Sequence, residues 1–269
     1  MTHGFNSSGA IDLMLDGRVA RIIINSPEKR NALSLAMWEA IPCVVSQISI
    51  NPELAVVVVQ GAGNEAFAAG ANISELETCL GSREMGLAYI DAVESAERSL
   101  ASCPLPVIAL IKGYCIGAGL EIAMACDLRM ATDDSIFSAP PAKLGANYSH
   151  NSTRRLVELV GVGKAKDMLF SGRRLDAAEA HKIGLADFVY SREEIDDKVN
   201  SYIQSLLSNS QYSIGVAKQT IEEIRDGAVA ESDHIRSLRS RGFLHADFRE
   251  GISAFRERRK PNYLKHSVS

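Results

Sequence analysis

The chain has 269 residues, a length typical of one large domain or of a core with a smaller appendage. Apolar residues make up 46% and charged residues 23%, a balance that excludes a disordered or collagen-like chain. The net charge of −4 and the aromatic content of 6% give no support to nucleic-acid binding through a basic field or a base-stacking platform.

Targeting and redox features are also informative. Apolar stretches such as 55–59 and 107–111 fall far short of the about 20 residues that a membrane span needs. Residues 1–10 lack the basic start and apolar stretch of a secretory signal, and we expect them to form a short disordered lead. The five cysteines show no CxxC or Cys/His metal spacing, which favours reduced, mostly buried thiols in a cytoplasmic protein without a metal site.

Up to about residue 190, short apolar strands alternate with helical stretches. Runs at 11–15 and 19–25 flank Asp16-Gly17, which is typical of a β-hairpin because both turn residues tolerate positive φ. A helix is predicted after Ser34 through Ile48, and Pro42 is expected to kink it or start it afresh. The other predicted elements of this part are a strand apolar on both faces at 55–60, a helix at 83–101, a buried strand at 106–111, a helix at 119–125, a strand at 128–131, a helix starting at 176–179 and a strand at 186–189.

The C-terminal part has a different pattern. From residue 192 to 259 no strand-like run occurs, and amphipathic helices follow one another. We therefore predict an α/β core over 1–195 and an all-helical unit over 196–269. These helices carry too many apolar positions for a short tail to bury by itself, so some are expected to face the core or another subunit. The positions are Ile195, Val199, Ile203, Leu206, Leu207, Ile214, Ile221, Ile224, Ile235, Leu238, Phe243, Leu244, Phe248 and Phe255.

Two glycine-rich turns carry the first functional information. Segment 67–76 follows the strand at 55–60, and segment 112–121 links the strand at 106–111 directly to a helix. Small residues there let a substrate approach the backbone, and a helix N-terminus presents unpaired N–H groups. Two such turns on neighbouring strands can aim two amides at one point, as stabilisation of an oxyanion requires. Alone, each turn is also explained as a tight turn, and the second as a fragment of a dinucleotide fingerprint.

Taken together, the two turns and their surroundings identify a family resemblance. The chain resembles the crotonase (enoyl-CoA hydratase/isomerase) superfamily over nearly its whole length. The similar segments are the coenzyme A-contacting segment at 25–33, the two oxyanion-hole segments at 67–76 and 112–127, the later core at 170–185 and the C-terminal signature at 255–263. The resemblance implies an α/β spiral of ββα units with a C-terminal helical domain that mediates trimerisation, often as a dimer of trimers. It also implies an acyl-CoA thioester as substrate, so that coenzyme A belongs to the substrate and no metal or bound redox cofactor is needed.

The resemblance also implies roles for particular residues. The backbone N–H groups of Ala71 and Ala118 correspond to the oxyanion hole, and Glu121, one helical turn after Ala118, corresponds to a catalytic glutamate. Many members have glycine where this chain has Ala118, a change that a backbone donor tolerates. From the residues alone, Glu121 is also explained as a dipole partner on a solvated face. Further substrate and coenzyme A contacts are implied for Lys29, Arg30, Ala69, Asn72, Ile73 and Gly117, and for Phe255 and Arg258 of a neighbouring subunit. From the residues alone, Lys29 and Arg30 are also explained as solvated charges.

One segment departs from the family pattern. Pro141 stands where hydratases of the family carry a second glutamate, and proline can neither transfer a proton nor orient water. With Tyr148 nearby, segment 140–148 resembles the methylmalonyl-CoA decarboxylase branch, in which a tyrosine lies by the departing carboxylate. That branch has a histidine at the position of Ala71. Tyr148 is equally explained as an aromatic residue that packs with its hydroxyl bonded to the backbone.

These observations predict an acyl-CoA lyase that hydrates a 2-enoyl-CoA, or dehydrates its product, through a thioester enolate. The first alternative is a decarboxylase of a carboxylated acyl-CoA such as methylmalonyl-CoA. The second is a non-catalytic acyl-CoA- or RNA-binding member of the fold, against which the retained Glu121 argues. Two neighbouring arginines, Arg154 and Arg155, begin a predicted helix and are interpreted as surface charges. His150 is interpreted as a bystander.

Overall fold

The computed structural model describes residues 5–6 and 11–263. The strands of this part are β1 (Phe5–Asn6), β2 (Ile11–Asp16), β3 (Val19–Ile24), β4 (Val56–Gly61), β5 (Ala66–Ala68), β6 (Val107–Ile111), β7 (Tyr114–Ile116), β8 (Leu128–Thr132), β9 (Ile136–Ser138), β10 (Leu175–Asp176) and β11 (Phe188–Tyr190). The α-helices are α1 (Leu35–Ser49), α2 (Ile73–Leu76), α3 (Arg83–Ala101), α4 (Ala118–Ala125), α5 (Pro141–Leu144), α6 (His150–Ser171), α7 (Ala177–Lys182), α8 (Ile195–Leu207), α9 (Gln211–Arg225), α10 (Asp233–Gly242) and α11 (Ala246–Glu257).

The larger sheet has seven strands in the order β1-β2-β3-β4-β6-β8-β11. The first three strands pair antiparallel, and the pairs from β3 onward are parallel. The predicted hairpin at Asp16-Gly17 is confirmed, with Asp16 opposite Val19 and Gly17 at φ +56°. All five residues of β6 are buried, as expected for a parallel sheet that is covered on both faces.

The smaller sheet has four short strands in the order β10-β9-β7-β5 and was not predicted. Three of its strands have three residues and one has two, too few for an alternating pattern to be visible in the sequence. Strand β7 lies between β6 and α4. The prediction that the second glycine-rich turn links a strand directly to a helix is therefore wrong, because three residues of that turn form a strand.

Two long helices, α1 and α3, lie where the sequence predicts them. Helix α3 spans the predicted residues 83–101, and α1 begins after Ser34, whose side chain accepts a hydrogen bond from the amide of Met37. Helix α1 continues through Pro42 as one helix, so the predicted fresh start does not occur. Its buried residues lie both before and after Pro42, so both halves of the helix pack against the core through the same face. They are Met37, Trp38, Ile41, Val44, Val45 and Ile48.

The described residues fall into two compact units. The first comprises 5–6, 11–103 and 107–199 and contains both sheets, and the second comprises 104–106 and 200–263 and has no strand among its described residues. The boundary predicted at 195/196 falls directly after the first residue of α8, whereas the first unit continues to Val199 within that helix. The lead predicted for residues 1–10 lies outside the described residues, apart from Phe5–Asn6, which pairs with β2.

The predicted apolar positions of the C-terminal helices divide into buried and exposed groups. Ile195 and Val199 are buried in the first unit, and Ile203 and Ile235 are buried in the second. Exposed large apolar side chains of the second unit are Ile221, Ile224, Val229, Phe243, Leu244, Phe248, Ile252 and Phe255.

Candidate active site

The first glycine-rich turn is fixed by hydrogen bonds to Leu33. The amide of Leu33 donates to the carbonyl of Gly70 (2.8 Å), and the carbonyl of Leu33 accepts from the amide of Asn72 (2.8 Å). Both bonds flank Ala71, whose own N–H has no protein acceptor among the described residues. Gly70 takes φ +128°, a conformation that is strained for any other residue. The turn therefore presents one free amide at Ala71.

The second turn presents an amide at the start of α4. Gly117, at φ +55°, precedes the helix, and its N–H donates to the carbonyl of Ser138 (3.0 Å). Ala118 is the first helical residue, so its N–H lies at the positive end of the helix without an intrahelical partner. A Cβ on Gly119 would lie 2.3 Å from the carbonyl oxygen of Ala68, so only glycine lets the helix start this close to β5.

The two turns lie side by side. Strands β5 and β7 are parallel neighbours, with Ala68 opposite Cys115. A Cβ built on Gly117 would lie 3.7 Å from the Cα of Gly70. The residues that follow these two glycines are Ala71 and Ala118, so the structure brings together the two segments whose amides the family resemblance assigns to an oxyanion hole.

Glu121 is the carboxyl of this site. It follows Ala118 by one helical turn, its N–H donates to the carbonyl of Gly117 (3.0 Å), and only 9% of its surface is exposed. Burial raises the pKa of Glu121 to about 8, the negative charge of Glu97 adds to the rise, and the Ser152 hydroxyl acts against it. Glu121 makes no ion pair with any described residue. At neutral pH the side chain is therefore mainly a neutral carboxylic acid, able to donate a proton.

Behind Glu121 lies a buried ion pair that sequence reasoning missed. Glu97 of α3 accepts hydrogen bonds from Arg155 Nη1 (2.9 Å) and Ser152 Oγ (2.5 Å), both on α6. Arg155 is only 5% exposed, so its interpretation as a surface charge is wrong. A local signal existed for Glu97, which shares a helical face with the buried Val93 and Leu100. Nothing local in the sequence indicated its partner.

The segment around Pro141 contains no second carboxyl group. Pro141 is buried at the first turn of α5, where a proline is readily accommodated. Tyr148 is half-buried, and its hydroxyl donates to the carbonyl of Gly117 (3.0 Å), next to Ala118. Burial raises the pKa of Tyr148 well above its ordinary value, so the hydroxyl remains a neutral donor. His150, at the start of α6, is exposed.

The segment expected to contact coenzyme A adjoins the first turn. The amide of Ala69 donates to the carbonyl of Arg30 (3.0 Å), while the guanidinium of Arg30 pairs with Glu65 (2.6 Å) and lies over the ring of Tyr114 at 5.6 Å. Lys29 is exposed. The predicted contact residues Asn72 and Ile73 begin α2 on the other side of Ala71. The structure thus places Arg30 on one side of the turn that carries Ala71, and Asn72 and Ile73 on the other.

Phe255 and Arg258 belong to the second unit. Phe255 lies on α11 with 84% of its surface exposed, and Arg258, also exposed, ends that helix in the left-handed conformation. No group of three or more His, Cys, Asp or Glu side chains in 5–6 and 11–263 could hold a metal ion. No helix in the same ranges is long and apolar enough to cross a bilayer.

Comparison with known proteins identifies the family. The family model described as enoyl-CoA hydratase/isomerase matches residues 15–266. The short-chain-enoyl-CoA hydratase of Clostridium acetobutylicum is 32% identical, with 93% of this chain and 96% of the relative covered. The crotonyl-CoA hydratase of Syntrophomonas wolfei is 30% identical, with 94% of this chain and 97% of the relative covered.

Solved structures agree. The crystal structure of an enoyl-CoA hydratase from Bacillus anthracis superposes with a TM-score of 0.83 at 30% identity, and the match covers 95% of this chain and 99% of that one. The chain belongs to the enoyl-CoA hydratase/isomerase family. The predicted family, the crotonase-like α/β fold with C-terminal helices and an enzyme of the hydratase type are thereby confirmed.

Proposed function

We propose that this protein adds water to the double bond of a 2-enoyl-CoA, or removes it in reverse. The observation that carries the proposal is the placement of Glu121, a buried carboxyl, one helical turn after Ala118 in the helix that starts beside the Ala71 turn. Relatives named as hydratases at about 30% identity support the same reaction.

The amides of Ala71 and Ala118 would stabilise the charge that develops during the reaction. When a nucleophile attacks the β-carbon of the enoyl group, negative charge moves to the thioester oxygen. Two preorganised N–H donors, one of them at a helix N-terminus, hold that charge without reorganisation. Loss of one such donor typically costs about 3–4 kcal/mol of transition-state stabilisation.

Glu121 can carry both proton transfers alone, which Pro141 makes necessary. One carboxyl oxygen gives its proton to the α-carbon, the other takes a proton from water, and the water oxygen bonds to the β-carbon. The π bond of the enoyl group, one O–H bond of water and the O–H bond of Glu121 break. One C–O bond, one C–H bond and a new O–H bond on the other carboxyl oxygen of Glu121 form, so Glu121 ends neutral as it began. The reverse sequence dehydrates the product.

Loss of CO2 from a carboxylated acyl-CoA such as methylmalonyl-CoA is the second candidate. Pro141 favours it, because decarboxylation forms the enolate directly and needs no second base. In that reaction Tyr148 would face the departing carboxylate. Its hydroxyl bond to Gly117 instead suits a role in holding the turn that precedes Ala118.

Incubation of the protein with a panel of CoA esters, followed by mass spectrometry, separates the two reactions. Hydration predicts the gain of one water by crotonyl-CoA and related 2-enoyl-CoA esters, and its loss in Glu121→Gln. Loss of CO2 from methylmalonyl-CoA, with no water gain by any enoyl ester, would establish the second candidate instead.

We further propose that coenzyme A, as part of the substrate, contacts Lys29, Arg30, Ala69, Ala71, Asn72, Ile73, Gly117 and Ala118. Phe255 and Arg258 would reach it from a neighbouring subunit. No other cofactor is expected, and the expected compartment is the cytoplasm.

The proposed assembly is a homotrimer or a dimer of trimers. It is supported by an apolar groove of about 840 Å³ in the second unit, lined by residues that include Val216, Ile221, Phe243 and Phe248. Phe243 and Phe248 stack edge to face at 5.3 Å, and Phe243 is 70% exposed. Exposed aromatic groups of this kind favour burial against another copy of the chain.

A further inference from the structure

Helix α4 packs against both α3 and α6, and two carboxyl groups lie among these helices. Glu121 projects from α4 and Glu97 from α3, and each is at least nine-tenths buried. Two buried carboxyls that influence each other cannot both ionise cheaply, so their partners decide which one carries the charge.

The partners favour a charge on Glu97. Arg155 Nη1 lies 2.9 Å from one carboxyl oxygen of Glu97, and the Ser152 hydroxyl donates to the other at 2.5 Å. An arginine stays protonated in proteins, so it compensates a buried carboxylate beside it. Burial still raises the pKa of Glu97, while Ser152 and Arg155 act against that rise. Glu121 has no comparable cation among the described residues.

The hydrogen atoms of the two serines reinforce this assignment. Ser152 has one hydroxyl hydrogen, and the bond to Glu97 uses it. Ser149, which caps α6, lies 2.9 Å from Ser152 Oγ and can donate its own hydrogen there. Because the Ser152 hydroxyl donates its hydrogen to Glu97, it is less able to stabilise a negative charge on Glu121 by a hydrogen bond.

We propose that Glu97 is a positioning residue: its carboxylate, fixed by Arg155 and Ser152, keeps the carboxyl of Glu121 protonated in the resting enzyme. Glu97 touches no reacting atom and acts through Glu121. The assignment of a proton to Glu121 stands on the buried cluster alone, whereas its use in catalysis rests on the proposed function.

Other ionisable groups also face the cluster. Glu94 of α3 adds a further negative charge near Glu97, which acts in the same direction as burial. The tyrosines and the thiol near Glu121 are neutral because burial raises the pKa of each. Among the ionisable groups on the elements packed against α4 are Tyr89, Glu94 and Glu97 on α3, His150, Arg154, Arg155 and Glu158 on α6, Tyr114 and Cys115 on β7, and Arg129 on β8, with Tyr148 on the connection to α6.

Infrared spectroscopy tests the proton directly. A protonated carboxyl has a C=O stretching band that a carboxylate lacks, and the difference between wild type and Glu121→Gln isolates the band of Glu121. In the wild type we expect this band to be half lost at about pH 8. In Glu97→Gln, which keeps the shape and removes the charge, the midpoint should fall by about one pH unit.

The matched control is Glu179→Gln. It removes a carboxylate from another ion pair of the same unit, with Arg173, and should leave the midpoint unchanged. An unchanged midpoint in folded Glu97→Gln would overturn the proposal. If Glu97→Gln fails to fold because Arg155 has lost the carboxylate of Glu97, the double variant Glu97→Gln/Arg155→Gln replaces both charges by amides. It should shift the midpoint in the same direction, and a wild-type midpoint in that variant would overturn the proposal equally.

Kinetics give a second, separable readout. If crotonyl-CoA is hydrated, the alkaline limb of the kcat/KM profile should move to lower pH in Glu97→Gln, in step with the infrared midpoint. A limb that stays in place while the infrared midpoint moves would show that Glu97 does not act on catalysis through Glu121. If crotonyl-CoA is not hydrated at all, the proposed function fails, and the infrared titration still decides the proton on Glu121.

Discussion

A methyl group added at Gly119 should displace the Ala118 amide and lower activity. In Gly119→Ala the new Cβ would lie 2.3 Å from the carbonyl oxygen of Ala68 and 2.8 Å from its Cβ. An ordinary Cβ contact begins at 3.4 Å, so the start of α4 must move away from β5 by about 1 Å. Ala118 is the preceding residue, so its N–H moves with the helix.

The expected loss follows from that displacement. A misplacement of about 1 Å at a reacting centre costs on the order of 10²-fold in rate. The overpacking should also lower the free energy of unfolding by about 1–3 kcal/mol, which lowers Tm by about 2–4 °C per kcal/mol in a domain of this size. The assay is kcat/KM for crotonyl-CoA, followed by the loss of enoyl-thioester absorbance, beside a thermal melt of the same preparation.

Gly86→Ala is the matched control. Gly86 lies in helix α3 of the same unit, and a Cβ there would meet no atom within 4 Å. Alanine should leave kcat/KM at the wild-type value and Tm unchanged or slightly higher. If Gly119→Ala is folded, shows the lower Tm and keeps wild-type kcat/KM, the contact with Ala68 is structural and does not position the amide.

Four further outcomes are expected. Ala118→Pro replaces the amide hydrogen by a ring carbon at the first helical position, where proline is tolerated, and should lower kcat by about 10²–10³ in the folded variant; full turnover would contradict the oxyanion-hole assignment. Glu121→Gln should lower hydration by about 10²–10⁴, whereas a decarboxylase would be affected more by Tyr148→Phe. Because the protonated form of Glu121 donates a proton, kcat/KM should fall as pH rises through about 8. The pKa of Glu121 is higher in the folded state than its ordinary value of 4.5, so the free energy of unfolding should decrease from pH 4.5 to about pH 8 in the wild type but not in Glu121→Gln. Light scattering should give three or six copies of the 29.1 kDa chain, and Arg258→Glu should raise KM for CoA esters with little change in kcat; an active monomer, or an effect on kcat alone, would argue against a shared site.

The parts of the fold that could be predicted have strong local signals. The hairpin at Asp16-Gly17 has two turn residues that tolerate positive φ. Helix α3 has a long amphipathic pattern with the helical period, and β6 is a continuous run of five apolar residues. The small sheet could not be predicted, because strands of two or three residues have no period to detect. Its strands β5 and β7 nevertheless set the two glycine-rich turns side by side, so the geometry of the site depends on the elements with the weakest local signal.

Sequence by itself determined which atoms are available. Glycines at 70 and 117 mark the two turns, and the spacing from Ala118 to Glu121 is one helical turn, so the amide and the carboxyl of α4 share one end of a helix. Pro141 likewise excludes a second carboxyl at its position whatever the fold.

Only the tertiary structure decided the state of those atoms. Glu97 meets Ser152 and Arg155 across 55 and 58 residues of sequence, and Tyr148 meets Gly117 across 31. Helical periodicity indicates which face of a helix is buried, but not which side chain of another helix it will meet. The raised pKa of Glu121 comes from burial and from the charge of Glu97, and both arise only when α3, α4 and α6 pack together.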